Sequence, residues 1–288
     1  MGLGAVMTKD TVTDSDETRR IPLPDKAKAA AQVEAAMAQF CELLLTLEDL
    51  DRPAVGHWSV ADVAAHIAVV VELYTSIVAG KASPVSSMAP EAIAEVSDRL
   101  NAEITDRDPG VLVERIRIGA KTLTSTALAR DGDPVVPFHA GIPMPVSAIL
   151  GISVGEALVH GYDVARPYRR PWSMPADWVY TAFRGFLPAA HVCLDAERAV
   201  GVRARFDIQL RGKGGPRAVL TIADGKLAVS PFVPGTKADC YLSADPAALL
   251  LVLYGRSGPV VPALTGKVLA WGRKPWLGFT LPTLIRTP

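Results

Sequence analysis

Apolar residues recur every three or four positions from Asp25 onward, where Val33, Met37, Phe40, Leu44 and Leu47 line one side of an alanine-rich stretch. That spacing predicts one long amphipathic helix, because residues three and four apart share a helical face. A second helix is announced by His57-Trp58-Ser59-Val60-Ala61-Asp62. Ser59 can cap it, Asp62 can return a bond to the Ser59 amide, and Trp58 with Val63 can close a hydrophobic staple. Its apolar face continues through Ile67, Val70 and Tyr74, and Gly80 with Pro84 marks its end. Two more helical periods, Pro90 to Ile104 and Gly110 to Ala129, flank the turn Asp106-Arg107-Asp108-Pro109. The proline-rich Asp131 to Pro145 reads as a loop, Val146 to about Val164 as a helix, and Asp177 to Ala190 as a helix broken near Pro188.

The period changes after Val200. Arg203 to Leu210 alternates polar and apolar residues and runs into the glycine-rich turn Arg211 to Pro216, the pattern of a strand entering a hairpin. Ala218 to Ala223, Lys226 to Ser230 and Ala238 to Leu242 supply further strands, with Asp224-Gly225 as a tight-turn signal between the first two. Asp245-Pro246 caps a helix over Ala247 to Tyr254 that Gly255 ends. A strand around Gly266 to Trp271 and a short helix near Leu277 to Ile285 complete the pattern. The predicted fold class is thus α plus α+β: a tail over residues 1–20, disordered by its composition, a four-helix-type bundle over 21–195, and an α+β domain over 200–288. The division falls near residues 191 to 202, where helical period gives way to alternation.

Composition narrows the function. Among 288 residues, 30 lysines and arginines balance 30 aspartates and glutamates, so the electrostatic footprint for nucleic acid or anionic lipid is missing. With 49% apolar and 21% charged residues the chain can bury a sizeable core. Glu72, Arg130 and Glu156 interrupt the longest apolar runs before the roughly 18 residues a spanning helix needs, so no membrane partner is expected. Met1 to Arg20 shows no secretory leader pattern, and Cys41, Cys193 and Cys240 stand apart without metal-cluster or redox spacing. A reducing, cytoplasmic setting and a monomer or small homo-oligomer follow as expectations.

The sharpest chemical signal is Gly155-Glu156-Ala157-Leu158-Val159-His160, where Glu156 and His160 project from one helical face. His66 adjoins the apolar stripe of its own helix and can face the bundle interior. Facing helices can bring these three side chains around one divalent ion, and two imidazoles with a carboxylate suit zinc and leave open coordination positions. The same residues also admit a plainer reading: Glu156 and His160 as a helix-surface pair and His66 as a hydrogen-bonded core residue. His57, before the cap, His139, in the proline-rich loop, and His191, at the domain junction, read as surface or packing residues. The cysteines read as structural, and Gly212-Lys213-Gly214-Gly215 lacks the Gly-Lys-Ser/Thr ending of a phosphate loop.

These residues carry a family resemblance. His57 to His66 is similar to the start of the second helix in the mycothiol-dependent maleylpyruvate isomerase family, and Gly155 to Val164 to its second metal motif. Less specifically, Ala238 to Leu242, Asp245 to Leu250, Tyr254 to Arg256 and Gly266 to Val268 resemble the following domain, related to sterol carrier protein type 2. The resemblance implies a DinB-like bundle in which His66, Glu156 and His160 are the metal ligands, with mycothiol as the cofactor. Mycothiol is then the low-molecular-weight thiol partner. Thiolate would add to the cis double bond of a maleylpyruvate-like diacid, permit rotation, and leave to give the trans product. Arginines are the natural grip for such a diacid, and Arg256 and Arg273 are the candidates. The stretch Tyr254 to Pro288 departs from the family pattern in its length and its proline and tryptophan content. Two alternatives stay open: transfer of mycothiol onto a small-molecule electrophile, or a non-catalytic carrier of an apolar ligand.

Overall fold

The structure, a computed structural model, describes residues 22–286. The expected tail over residues 1–20 lies outside the described residues. Helix α1, Lys26–Leu44, starts where the Asp25 carboxylate accepts the Lys28 amide. Short strands β1, Pro53–Val55, and β2, Trp58–Ser59, lead into α2, Val60–Val78, whose capping box is complete: Ser59 takes the Asp62 amide and Asp62 takes the Ser59 amide. Helices α3, Pro90–Ala102, and α4, Pro109–Leu128, follow, the latter capped by Asp108. Strands β3, Val135–Pro137, and β4, Pro143–Pro145, precede α5, Val146–Ala165, and α6 is Ala176–Phe186. A 3₁₀ segment, Leu187–Cys193, replaces the last turn expected to reach Ala190, because Pro188 cannot continue the α-helical hydrogen bonding.

Helices α1, α2, α4 and α5 form the four-helix core, with α1 and α2 each packed against both α4 and α5. Phe40, Met37, Ile67, Ile77, Leu112, Ile116, Ile149 and Leu150 fill the interior with almost no exposure. By length and composition α2 is apolar enough to cross a bilayer, against the expectation that Glu72 interrupts it. Two thirds of that span is buried among its neighbours, so its hydropathy is accounted for by a place at the centre of the bundle. Helix α3 stays half-buried and packs against α2, with Asn101 its one buried residue.

Strands β5, Ala204–Leu210, β6, Arg217–Ala223, β7, Lys226–Pro231, β8, Cys240–Ala244, and β9, Val268–Trp271, form one sheet in the order β7-β6-β5-β8-β9. Every pair is antiparallel except β5 with β8. The last of these before the helix enters two residues later than expected and runs on to Ala244, which pairs with Leu210. Helices α7, Pro246–Leu253, α8, Val260–Leu264, and α9, Leu277–Leu284, complete the domain around a core of Phe206, Ile222, Cys240 and Leu242.

Candidate metal centre

Two helices carry the site. On α2 the capping box sets the first turn, and the indole of Trp58, just ahead of it, lies against the His66 ring with centroids 4.8 Å apart. On α5, Glu156, His160 and Asp163 share one face at spacings of four and three. Close packing holds α5 in place: a Cβ on Gly151 would lie 2.7 Å from the Thr181 carbonyl and 2.8 Å from the Gly185 Cα, so α5 and α6 touch backbone to backbone there. A Cβ on Gly161 would collide with the indole of Trp172, whose Nε1 donates to the Leu158 carbonyl at 2.8 Å.

The structure brings His66, Glu156 and His160 together. One candidate ligand atom from each lies within 4.8 Å of the others. Glu156 Oε2 is 3.4 Å from His160 Nε2 and 3.8 Å from His66 Nε2, and the Tyr74 hydroxyl donates to Oε1 at 3.3 Å. His160 Nδ1 is 3.1 Å from Asp163 Oδ2. An ionised carboxylate only accepts, so Nδ1 carries the proton and Nε2 is the nitrogen turned toward Glu156. Asp163 is fully buried and is gripped by Arg256 through Nη2 at 2.8 Å and Nε at 3.1 Å. The remaining terminal nitrogen of Arg256 donates to the Tyr254 carbonyl at 2.8 Å.

Electrostatics favour a cation here. Burial alone would raise the Glu156 carboxyl, but the hydrogen bonds and charges of His160 and His66 outweigh it and hold it well below the usual range. Asp163 is lowered in the same way, with burial overcome by His160 and Arg256. Burial lowers His66, whereas in His160 burial is outweighed by Asp163 and Glu156 and the pKa rises. Arg256 is spent on Asp163, so the half-buried Glu156 carboxylate is left to the two imidazoles that converge on it. His66 Nδ1 is also buried without a hydrogen-bond partner among the described residues. A divalent cation fits this donor set.

The cluster lines a cavity of about 400 Å³ walled by α2, α3, α5 and the turn after α7, including Val70, Leu73, Met88, Ile93, Ile152 and Tyr254. Arg256 lines it, although its guanidinium is engaged by Asp163. Arg273 does not reach it: its side chain is 76% exposed and pairs with Asp239. His57 is exposed and bonds Asp98 at 3.1 Å, and His191 is exposed and bonds the Pro188 carbonyl. All three cysteines are buried and free. Cys193 lines the cavity, yet burial pushes its thiol up to about 11, as it does for Cys41. Sequence reasoning passed over Asp163, Tyr74 and the buried place of His139. Only Asp163 had a signal to find it, the His-x-x-Asp spacing on one helix face.

Residues 30–165 match the mycothiol maleylpyruvate isomerase N-terminal domain, and residues 191–272 match the SCP-2 sterol transfer family. No curated protein matches the chain. Among solved structures, the mycothiol-dependent maleylpyruvate isomerase is 14% identical, with 88% of this chain and 94% of that one covered and a TM-score of 0.49. A histidine-to-alanine mutant of the isomerase is 13% identical over the same shares, with a TM-score of 0.50. At such identities the likeness is one of fold. The order of the two matched domains, a DinB-like bundle and then a sheet domain of SCP-2 type, makes the chain a member of the mycothiol-dependent maleylpyruvate isomerase family.

Proposed function

We propose that the chain is a metal- and mycothiol-dependent enzyme acting on a small electrophile, with cis–trans isomerisation of a maleylpyruvate-like diacid as the favoured reaction. The observation that carries this reading is the convergence of His66, Glu156 and His160 at one wall of a largely apolar cavity. These three residues would hold the ion, for which zinc suits the donors best. A divalent ion at this place supplies the positive charge that lowers the pKa of a bound thiol, so that thiolate is present near neutral pH. The chain's own residues prepare the setting. Glu156 stays ionised, Asp163 fixes the His160 tautomer, and Arg256 holds Asp163 in place. Val70, Leu73 and Ile152 give the cavity an apolar wall beside these groups.

The reading is tested by turnover of maleylpyruvate with the metal-loaded protein. Isomer formation that requires mycothiol supports it, a mycothiol conjugate as the product points to S-transfer instead, and full turnover with every small thiol absent defeats both. A second reading has its own observation. Leu242, Leu249, Val252, Ala263, Trp276 and Phe279 line an apolar cavity of about 350 Å³ between the sheet and α7, α8 and α9. This favours a carrier of apolar ligands in the C-terminal domain, and a lipid recovered in stoichiometric amount from protein without metal would support it.

A further inference from the structure

His139 sits on a loop yet is only 7% exposed. It opens the 3₁₀ turn His139–Gly141 between β3 and β4, where Ala140 takes a left-handed backbone at φ 53° and its amide donates to the Val85 carbonyl at 2.7 Å. A non-glycine residue in that region is strained by roughly 1 kcal/mol or more and persists only where its surroundings enforce it. The enforced turn lays the imidazole on Phe138, ring centroids 4.0 Å apart, and beside Tyr74, whose hydroxyl reaches Glu156.

Ser83 holds the ring at Nδ1. Its Oγ accepts the Val85 amide at 3.1 Å and lies 2.7 Å from His139 Nδ1. With Oγ already taking the Val85 amide, its hydroxyl proton is free to go to Nδ1, the arrangement that puts the ring hydrogen on Nε2. Nε2 has no protein partner among the described residues and is not one of their sealed, unpartnered atoms, so it opens onto the cavity that His139 lines. Burial lowers His139 to about 4, which keeps it a neutral donor. Three other donors on the cavity wall are engaged: Tyr74 on Glu156, the Trp58 indole on Asp98, and Arg256 on Asp163 and the Tyr254 carbonyl.

We infer that His139 is a substrate-binding residue whose Nε2–H takes a carboxylate or carbonyl oxygen of the small electrophile, with Ser83 as its positioning residue. The inference rests on the cavity being the electrophile's site, as proposed above. It is tested on the full chain with ¹⁵N-labelled histidine by NMR, with the His139→Phe variant assigning the resonance. Two probes are added separately: maleate, a cis diacid, and N-acetylcysteine, a small thiol. The expected result is an Nε2–H tautomer whose signal moves with maleate and not with N-acetylcysteine, together with a loss of about tenfold in maleate affinity in His139→Phe at unchanged metal content. An Nδ1–H tautomer, an unmoved signal with maleate, or movement with the thiol alone overturns it. A His139 response to maleate in protein that needs neither metal nor thiol for turnover would defeat the proposed function and leave this inference standing.

Discussion

At the scale of the residue, the three cysteines and the ligand cluster divide the chemistry between them. Thiols held near 11 are ionised to about one part in a thousand at pH 8, so Cys41 and Cys193 are poor nucleophiles. Native protein at pH 8 should therefore resist iodoacetamide, with labelling that rises as pH increases, whereas urea-unfolded protein should label at all three cysteines within minutes. Fast native labelling counted by mass spectrometry would contradict the assignment. The same division was legible in the sequence in part. His66, Glu156 and His160 could be read because helical period puts Glu156 and His160 on one face and His66 beside an apolar stripe, and the family resemblance chose the ligand set over a surface pair. His139 could not, since its burial depends on a turn conformation and on contacts with Ser83, Phe138 and Tyr74 that are remote in sequence or set by backbone strain.

Among the elements, α5 is the one on which the site depends. Most of its length is buried on every side, and its approach to α6 rests on Gly151 facing Gly185, where a Cβ added to Gly185 would lie 2.6 Å from the Ala148 carbonyl. Gly185→Val should separate the two helices and cost about 1–3 kcal/mol or more, seen as a lower urea midpoint. An unchanged midpoint would mean that the crossing is looser than described. The long helices were legible in the sequence to within a few residues, because three to five turns of period and capping residues at Asp25, Ser59 and Asp108 mark them clearly. The ribbon of β3 and β4 was not: its strands are three residues long and pair Val135 with Pro145 and Pro137 with Pro143, and prolines give the signal of a loop. Helix α8, five residues long, was missed for the same want of length.

On the scale of the whole molecule, Arg256 is a buried ion-pair link between the domains, since it comes from the turn after α7 and closes on Asp163 in the bundle. Arg256→Ala leaves a buried carboxylate without its guanidinium, with only His160 beside it, and should cost about 3–5 kcal/mol in thermal or urea unfolding, and adding Asp163→Asn should recover much of that loss. No recovery would show that the arginine acts through something other than this pair. The division near residues 191 to 202 is proposed as the boundary of two folded units, so limited proteolysis should cut there before it cuts inside α5. The central claim is that His66, Glu156 and His160 hold a divalent metal, and elemental analysis of purified wild type beside His160→Ala tests it most directly. The account predicts about one divalent ion per chain in the wild type, most of it zinc, and a sharp loss in the variant. Equal metal in the two proteins, or none in a wild type purified without chelator and offered zinc, would contradict it.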